Sequence, residues 1–278
     1  MSEPVLTKLP ERTPRFTKLR NRHGWLAAIA VLLIIMVAWR ASQVPVFGGF
    51  QVRTITAGTL AIALLAMGQA VVVISGGFNM AIGAMLVFTN CFSAWLMQGR
   101  SFLACIIIAL GTIALSAAIS AAMGAFSVYS GVPDMIVTLA MSFVLPGAAL
   151  LILGGPGGGT HQSFVNLVVG GFSDPLPSIG WMLFALVVLW LPLSRSRLGK
   201  SIYAVGSNRQ AAFLAGVNVG RTRVMAYVYS GIFAGMAGVA TTAYTASGEP
   251  RAAIGMGMLM NAVAAVVATP AMPAKMLE

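Results

Sequence analysis

Acidic side chains are almost missing from this chain. Of 278 residues, 6 are Asp or Glu, against 17 Lys and Arg. Charged residues of both signs make up 8%, where a soluble globular domain averages about 25%. So little charge cannot cover a water-facing surface, which makes the bilayer the implied solvent. None of the acids, Glu3, Glu11, Asp134, Asp174, Glu249 and Glu278, lies in the middle of an apolar run. Pumps and ion-coupled carriers usually need ionisable groups there. Sodium sites can be built from carbonyls alone, so a carrier is disfavoured but stays open. Paired carboxylates at glycosidase or protease spacing are also missing. Cysteine is scarce. Cys91 and Cys105 both sit in apolar runs, as small buried hydrophobes would, and neither a disulfide framework nor a metal spacing is present. His23 and His161 fall in a tail and a loop, the places of solvated residues rather than of a base or ligand. The sequence therefore offers no catalytic residue, no metal site and no cofactor site of its own.

What it has instead is oil: 58% of the residues are hydrophobic. In lipid only helices and closed barrels satisfy every backbone polar group. The apolar runs are long and continuous rather than alternating, so the expected fold is all-α, a polytopic transmembrane helical bundle. About eight spans are expected, near 24–39, 55–74, 80–97, 102–128, 135–153, 179–193, 225–246 and 254–268. The N-terminal tail 1–23 is polar and basic, and the run after it lacks a clean cleavage site, which reads as a retained first span. Residues 269–278 form an atypical tail containing Pro270 and Pro273.

Charge orients the bundle. The N-terminal tail carries Lys8, Arg12, Arg15, Lys18, Arg20 and Arg22. Loop 194–224 carries Arg195, Arg197, Lys200, Arg209, Arg221 and Arg223, with no acid. The positive-inside rule puts both in the cytoplasm, and six crossings between them agree. The loop at 154–178 has no Lys or Arg and falls outside. Arg40, Arg53 and Arg100 outside, and Asp134 inside, are the misfits. The same rule, rather than nucleic acid, accounts for the net charge of +11. Ser116, Ser120 and Gly124, and again Gly231 and Gly235, recur every four residues, a spacing that lets helix backbones approach.

Within the basic loop, Gly199-Lys200-Ser201 suggests a phosphate-binding loop. Such a loop needs Gly at 194, after a strand. Position 194 is Ser, and the preceding residues belong to a membrane span. Any ATP chemistry belongs to another chain. Farther on, Ser207 and Gln210 fit a capping box, Asn208–Ala215 a two-turn helix, and Gly216 a left-handed stop. Ala211, Leu214 and Ala215 share one face. A helix this short frays unless something holds it. It either lies on the membrane surface or docks into a soluble partner. On the outer side the reading places two features: the glycine break SGGFNMAIG, 75–83, and Glu249.

These segments resemble a known family, the permease subunits of bacterial ABC importers in the ribose/xylose/galactoside (branched-chain amino acid-related) group. The likeness is carried by ISGGFNMAIGAM at 74–85, GVPDMIVTLAMSF at 131–143, LGKSIYAVGSNRQAAFLAGVNVGRTR at 198–223, and GMAGVATTAY with GMGMLMNAVAAVV inside 235–267. The resemblance implies a translocating subunit of the cytoplasmic (inner) membrane, for a sugar or sugar-like solute. It implies an ATPase partner, supplying ATP and Mg, docked through Gly199, Tyr203, Gly206, Asn208, Ala211, Ala212, Leu214 and Gly216. It further implies a second permease, homodimeric or paralogous, and a periplasmic or lipid-anchored binding protein, with Glu249 a candidate contact. Gly76, Gly77, Phe78, Asn79 and Asn261 become the candidate translocation pathway. Asn79 and Asn261 stand where many members carry an acid. Relatives also continue past Ala268 with more membrane helices, so the chain is expected to be shortened by about two spans of roughly 20 residues. The alternatives are a stand-alone secondary carrier or channel, and a truncated, non-transporting fragment.

Overall fold

A computed structural model describes residues 30–39, 42–43 and 48–267. The chain divides into two units at Gly48. The first contains α1 (Ala30–Trp39), an apolar helix whose side chains are exposed. The other elements belong to the second unit.

They follow the apolar runs. They are α2 (Gly49–Ile74), α3 (Ile82–Met97), α4 (Phe102–Ser130), α5 (Asp134–Ile152), α6 (Gln162–Val168) and α7 (Leu176–Arg195). After these come α8 (Arg197–Ser207), α9 (Arg209–Leu214), α10 (Val219–Thr245) and α11 (Ala252–Val267). No strand occurs among the described residues, although Gly157 and Gly248 form an isolated backbone bridge. Five helices are long and apolar enough to cross a membrane: α2, α4, α5, α7 and α10. The apolar helices α1, α3 and α11 are shorter, at 10–17 residues. Within α7, Ala185–Trp190 forms a wider π turn just before Pro192. Proline has no N–H to donate, and a local π turn is a usual accommodation to such a break.

The bundle is organised around α10 and α3. Helix α10 packs on α4, α2 and α3, while α3 packs on α10, α5 and α11. Almost all of α3 is buried; Phe92, Trp95 and Leu96 are the exceptions. The core between these helices includes Leu60, Leu64, Leu65, Met85, Leu86 and Phe233. The small residues read from the sequence do meet. Ser116 Oγ donates to the Gly231 carbonyl at 2.7 Å, and a Cβ on Gly231 would lie 2.6 Å from the Ser116 carbonyl oxygen. A side chain there would push α4 and α10 apart. Cys91 and Cys105 are buried free thiols, as their apolar surroundings suggested. His161 caps α6, its Nδ1 accepting from the Ser163 N–H at 3.2 Å. His23, the basic tail and residues 268–278 lie outside the described residues.

By contrast α4, α5 and α7 leave Leu103, Leu110, Phe143, Leu151 and Val187 exposed. Such a surface is untenable in water but ordinary against lipid tails.

Candidate functional site

The basic loop folds as two short helices. Ser196 caps α8, its Oγ accepting from the Gly199 N–H at 3.0 Å. Gly199-Lys200-Ser201 is therefore helical, with no strand before it. Helix α8 continues through Ser207, which corrects the capping-box reading: a residue in helical conformation cannot serve as an N-cap. Asn208, one residue later, takes that role. Its backbone is extended, and its Oδ1 accepts from the Ala211 N–H at 3.0 Å. Gly216 closes the turn with φ +81°, the left-handed conformation that favours glycine.

The loop residues separate into two sets. Gly199, Val205 and Ala212 are buried, and Gly206 is packed so closely that a Cβ would sit 1.7 Å from the Ile74 carbonyl oxygen. Arg209 adds a bond from Nη2 to the Gly76 carbonyl at 2.9 Å. These residues fasten the loop to the end of α2. The other set points away: Tyr203, Ala211, Phe213, Leu214 and Ala215 are exposed, Leu214 at 79% and Phe213 at 69%. The face expected from Ala211, Leu214 and Ala215 is thus the free one, while Ala212 faces inward.

The contact with Gly76 also relocates the glycine break. The sequence reading set residues 75–83 and Glu249 together on the outer side. In the structure Ser75–Gly77 lie against Gly206 and Arg209, at the end that carries the basic loop. Glu249 lies elsewhere. Its N–H donates to Asn90 Oδ1 at 2.8 Å, well along α3, and its carboxylate pairs with Arg251 Nε at 3.0 Å.

Beside the glycine break is a cavity of about 790 Å³. Its lining includes Gly76, Gly77 and Phe78 from the break, Asp134 from α5, Arg223 from α10 and Gln69 from α2. Asp134, a misfit by charge count, is paired: Arg223 Nη2 donates to its Oδ1 at 2.6 Å, and Ser127 Oγ donates to the same oxygen. Gly77 makes room for that carboxylate, because a Cβ would lie 2.6 Å from Asp134 Oδ2. Asn79 is buried and does not line the cavity; it donates to Ser230 Oγ at 3.1 Å and accepts from the Ala81 N–H at 3.0 Å. Asn261 is exposed on α11 and does not line the cavity, although Val263, Val266 and Val267 of that helix do.

Gln69 escaped the sequence reading. It is 0% exposed, and neither its Nε2 nor its Oε1 has a partner. A buried polar group left in that state costs about 1–3 kcal/mol. The signal was present as a lone carboxamide within the apolar run 55–74. Arg223 Nε is likewise buried without a partner.

Comparison with known proteins identifies relatives of the chain. The chain is 32% identical over 208 residues to the D-allose transport system permease protein of Escherichia coli (strain K12), covering 73% of this chain and 62% of that one. It is 31% identical to the ribose import permease protein of the same strain, covering 74% and 64%. With an autoinducer 2 import system permease protein of Photorhabdus temperata it shares 29% identity, covering 89% and 75%. The chain thus spans less than two thirds of the length of the first two. No solved structure matches it significantly. The family model for branched-chain amino acid transport system / permease component matches residues 51–269, from the first turn of α2 through α11. The chain belongs to that permease family.

Proposed function

We propose that this chain is the membrane-spanning permease subunit of an ATP-driven ABC importer for a sugar or sugar-like small solute. The observation that carries the reading is α9. It leaves Phe213 and Leu214 exposed in the loop 194–224, which carries Arg209 and Arg221 as exposed cations and no acid. An apolar tip among cations is the shape of a plug for a soluble partner. The occupant is the importer's ATPase, which supplies ATP and Mg. The similarity to sugar and autoinducer permeases supports that choice.

The chain then crosses the cytoplasmic membrane eight times, α1, α3 and α11 included, with its N-terminus and loop 194–224 in the cytoplasm. The two basic clusters at even crossings support this topology. A second permease, itself or a paralogue, completes the assembly. A periplasmic or lipid-anchored binding protein delivers solute at the opposite end, near Glu249.

The test is capture of individually purified ABC ATPases of the source organism by the full chain in nanodiscs. One of them should bind, and the double variant F213D/L214D should abolish binding. Failure of every ATPase to bind, or gradient-driven flux in proteoliposomes with no ATPase, overturns the proposal.

A further inference from the structure

We infer that an apolar groove between α2, α4, α6, α7 and α10 holds one phospholipid of the surrounding bilayer, with an acyl chain in the groove and the phosphate at Arg53. The site is separate from the docking loop and from the cavity beside the glycine break.

The groove has a volume of about 340 Å³, and every side chain lining it is apolar or aromatic. Its floor includes Leu60 and Leu64, at 1% and 2% exposed. Its rim includes Leu110, Leu167 and Phe184, all exposed. Leu110 belongs to the lipid-facing surface of α4, so the groove opens sideways into the bilayer. Trp181 in its wall has already spent its Nε1–H on the Leu167 carbonyl at 3.0 Å. Water finds no partner there, and an apolar cavity stays dry. Left empty, its walls forfeit dispersion contacts. An acyl chain is the filler that a bilayer supplies. The π turn of α7 borders the same wall, with Phe184 just before it and Leu189 within it.

Arg53 distinguishes a phospholipid from any other oily filler. By charge count it is a misfit, a cation at the end opposite the basic loop. It precedes Leu60 and Leu64 by seven and eleven residues on α2, which puts all three on one face. At 1.5 Å per residue the two leucines lie about 10 and 16 Å deeper. Half of a hydrocarbon core is about 15 Å, so Arg53 stands at headgroup level above a groove at tail depth. Its Nη2 donates to the Gly170 carbonyl at 3.4 Å, two residues past Val168 of the groove wall. Among the described residues the side chain makes no other hydrogen bond and no ion pair. A guanidinium has several N–H donors, so most of its capacity is unspent. Asp174, the acid of the adjoining loop, does not neutralise it, because its Oδ1 accepts from the Leu176 N–H at 3.0 Å at the start of α7. Phosphate is the lipid group that a guanidinium matches best.

Native mass spectrometry tests the proposal on the full chain, moved from phosphatidylglycerol nanodiscs into mild detergent. The wild type should retain one phospholipid. A109W, which fills the groove, should lose it. R53Q should retain it about ten-fold less, as expected for the loss of a hydrogen bond to a charged group. R53K keeps the charge and should recover part of that loss. F143A, on the exposed face of α5, should match the wild type. Excess inorganic phosphate should leave the lipid in place. No retained lipid, the result if α1 or a second copy of the chain covers the groove, overturns the inference. Equal retention by wild type and R53Q also overturns it, since the lipid is then annular only. So does displacement by inorganic phosphate, which makes the site a headgroup contact without a tail. Should A109W fail to fold, R53Q and R53K carry the test.

Discussion

The two ends of the bundle hold their polar groups in opposite ways. Arg223 and Thr242 lie on the same helix, α10, roughly 28 Å apart at 1.5 Å per residue. Around Thr242 the contacts are neutral and shared, and the ion pair of this end, Glu249 with Arg251, is the more exposed of the two among the described residues. The Thr242 hydroxyl donates to the Asn90 carbonyl and lies 2.7 Å from Ser93 Oγ, while Asn90 Nδ2 donates to Thr242 Oγ1 at 2.9 Å and to the Ser247 carbonyl at 3.1 Å. Around Arg223 there is a buried ion pair, a cavity and polar atoms with nothing to bond. A network of mutually satisfied groups favours one packing. An end with open valences and a charge pair is the one able to exchange partners. The bundle is therefore stitched at one end and adjustable at the other, and the adjustable end carries the basic loop.

Substitutions that act on one end alone break this contrast. Asp134→Ala should have the largest effect, because it leaves Arg223 buried without its partner. We expect a loss of about 3–5 kcal/mol in unfolding free energy, measured by denaturant titration in micelles, and a smaller loss in the double variant D134L/R223M. Gly206→Ala comes next. Its methyl group meets the Ile74 carbonyl, and overpacking of about 1–3 kcal/mol is expected. A Cys pair at 76 and 209 should then crosslink more slowly. Thr242→Val probes the stitched end. Hydrogen bonds between membrane helices average about 0.6 kcal/mol and reach about 1.7, so the loss should fall in that range. A loss as large as that of Asp134→Ala would erase the contrast. F213D/L214D should change stability least, within about 0.5 kcal/mol, because both side chains are already exposed. Its effect belongs to ATPase capture.

Residues differ in how much of this the sequence discloses. Helices appear as continuous apolar runs because hydropathy is a property of each residue and survives summation. The run at 102–128 becomes Phe102–Ser130, and that at 225–246 becomes Val219–Thr245. The four-residue spacing of Ser116, Ser120, Gly231 and Gly235 is legible for the same reason, since it is local to each helix. Partners across helices are not local. Nothing near Asp134 in sequence announces Arg223, 89 residues on. Gln69 reads as one polar residue among many, and only the packing reveals that it has no partner. The cap at Ser207 misleads because Asn208 beside it is itself a favoured N-cap residue, and the length of α8 decides between the two. Misplacing the glycine break has a different origin. The glycines carry no mark of which end of the bundle they occupy, and the contact with Gly206 and Arg209 is what places them.

The contact of Gly206 with the end of α2 has a mechanical consequence. Side chains absorb displacement by changing rotamer, so a joint built from them has slack. Here two backbones touch, with no side chain between them and Arg209 clamped across the seam. Such a joint transmits a push of a few tenths of an ångström without first taking up play. With the short helix docked as proposed, a displacement of the loop would carry the end of α2 and the floor of the cavity with it.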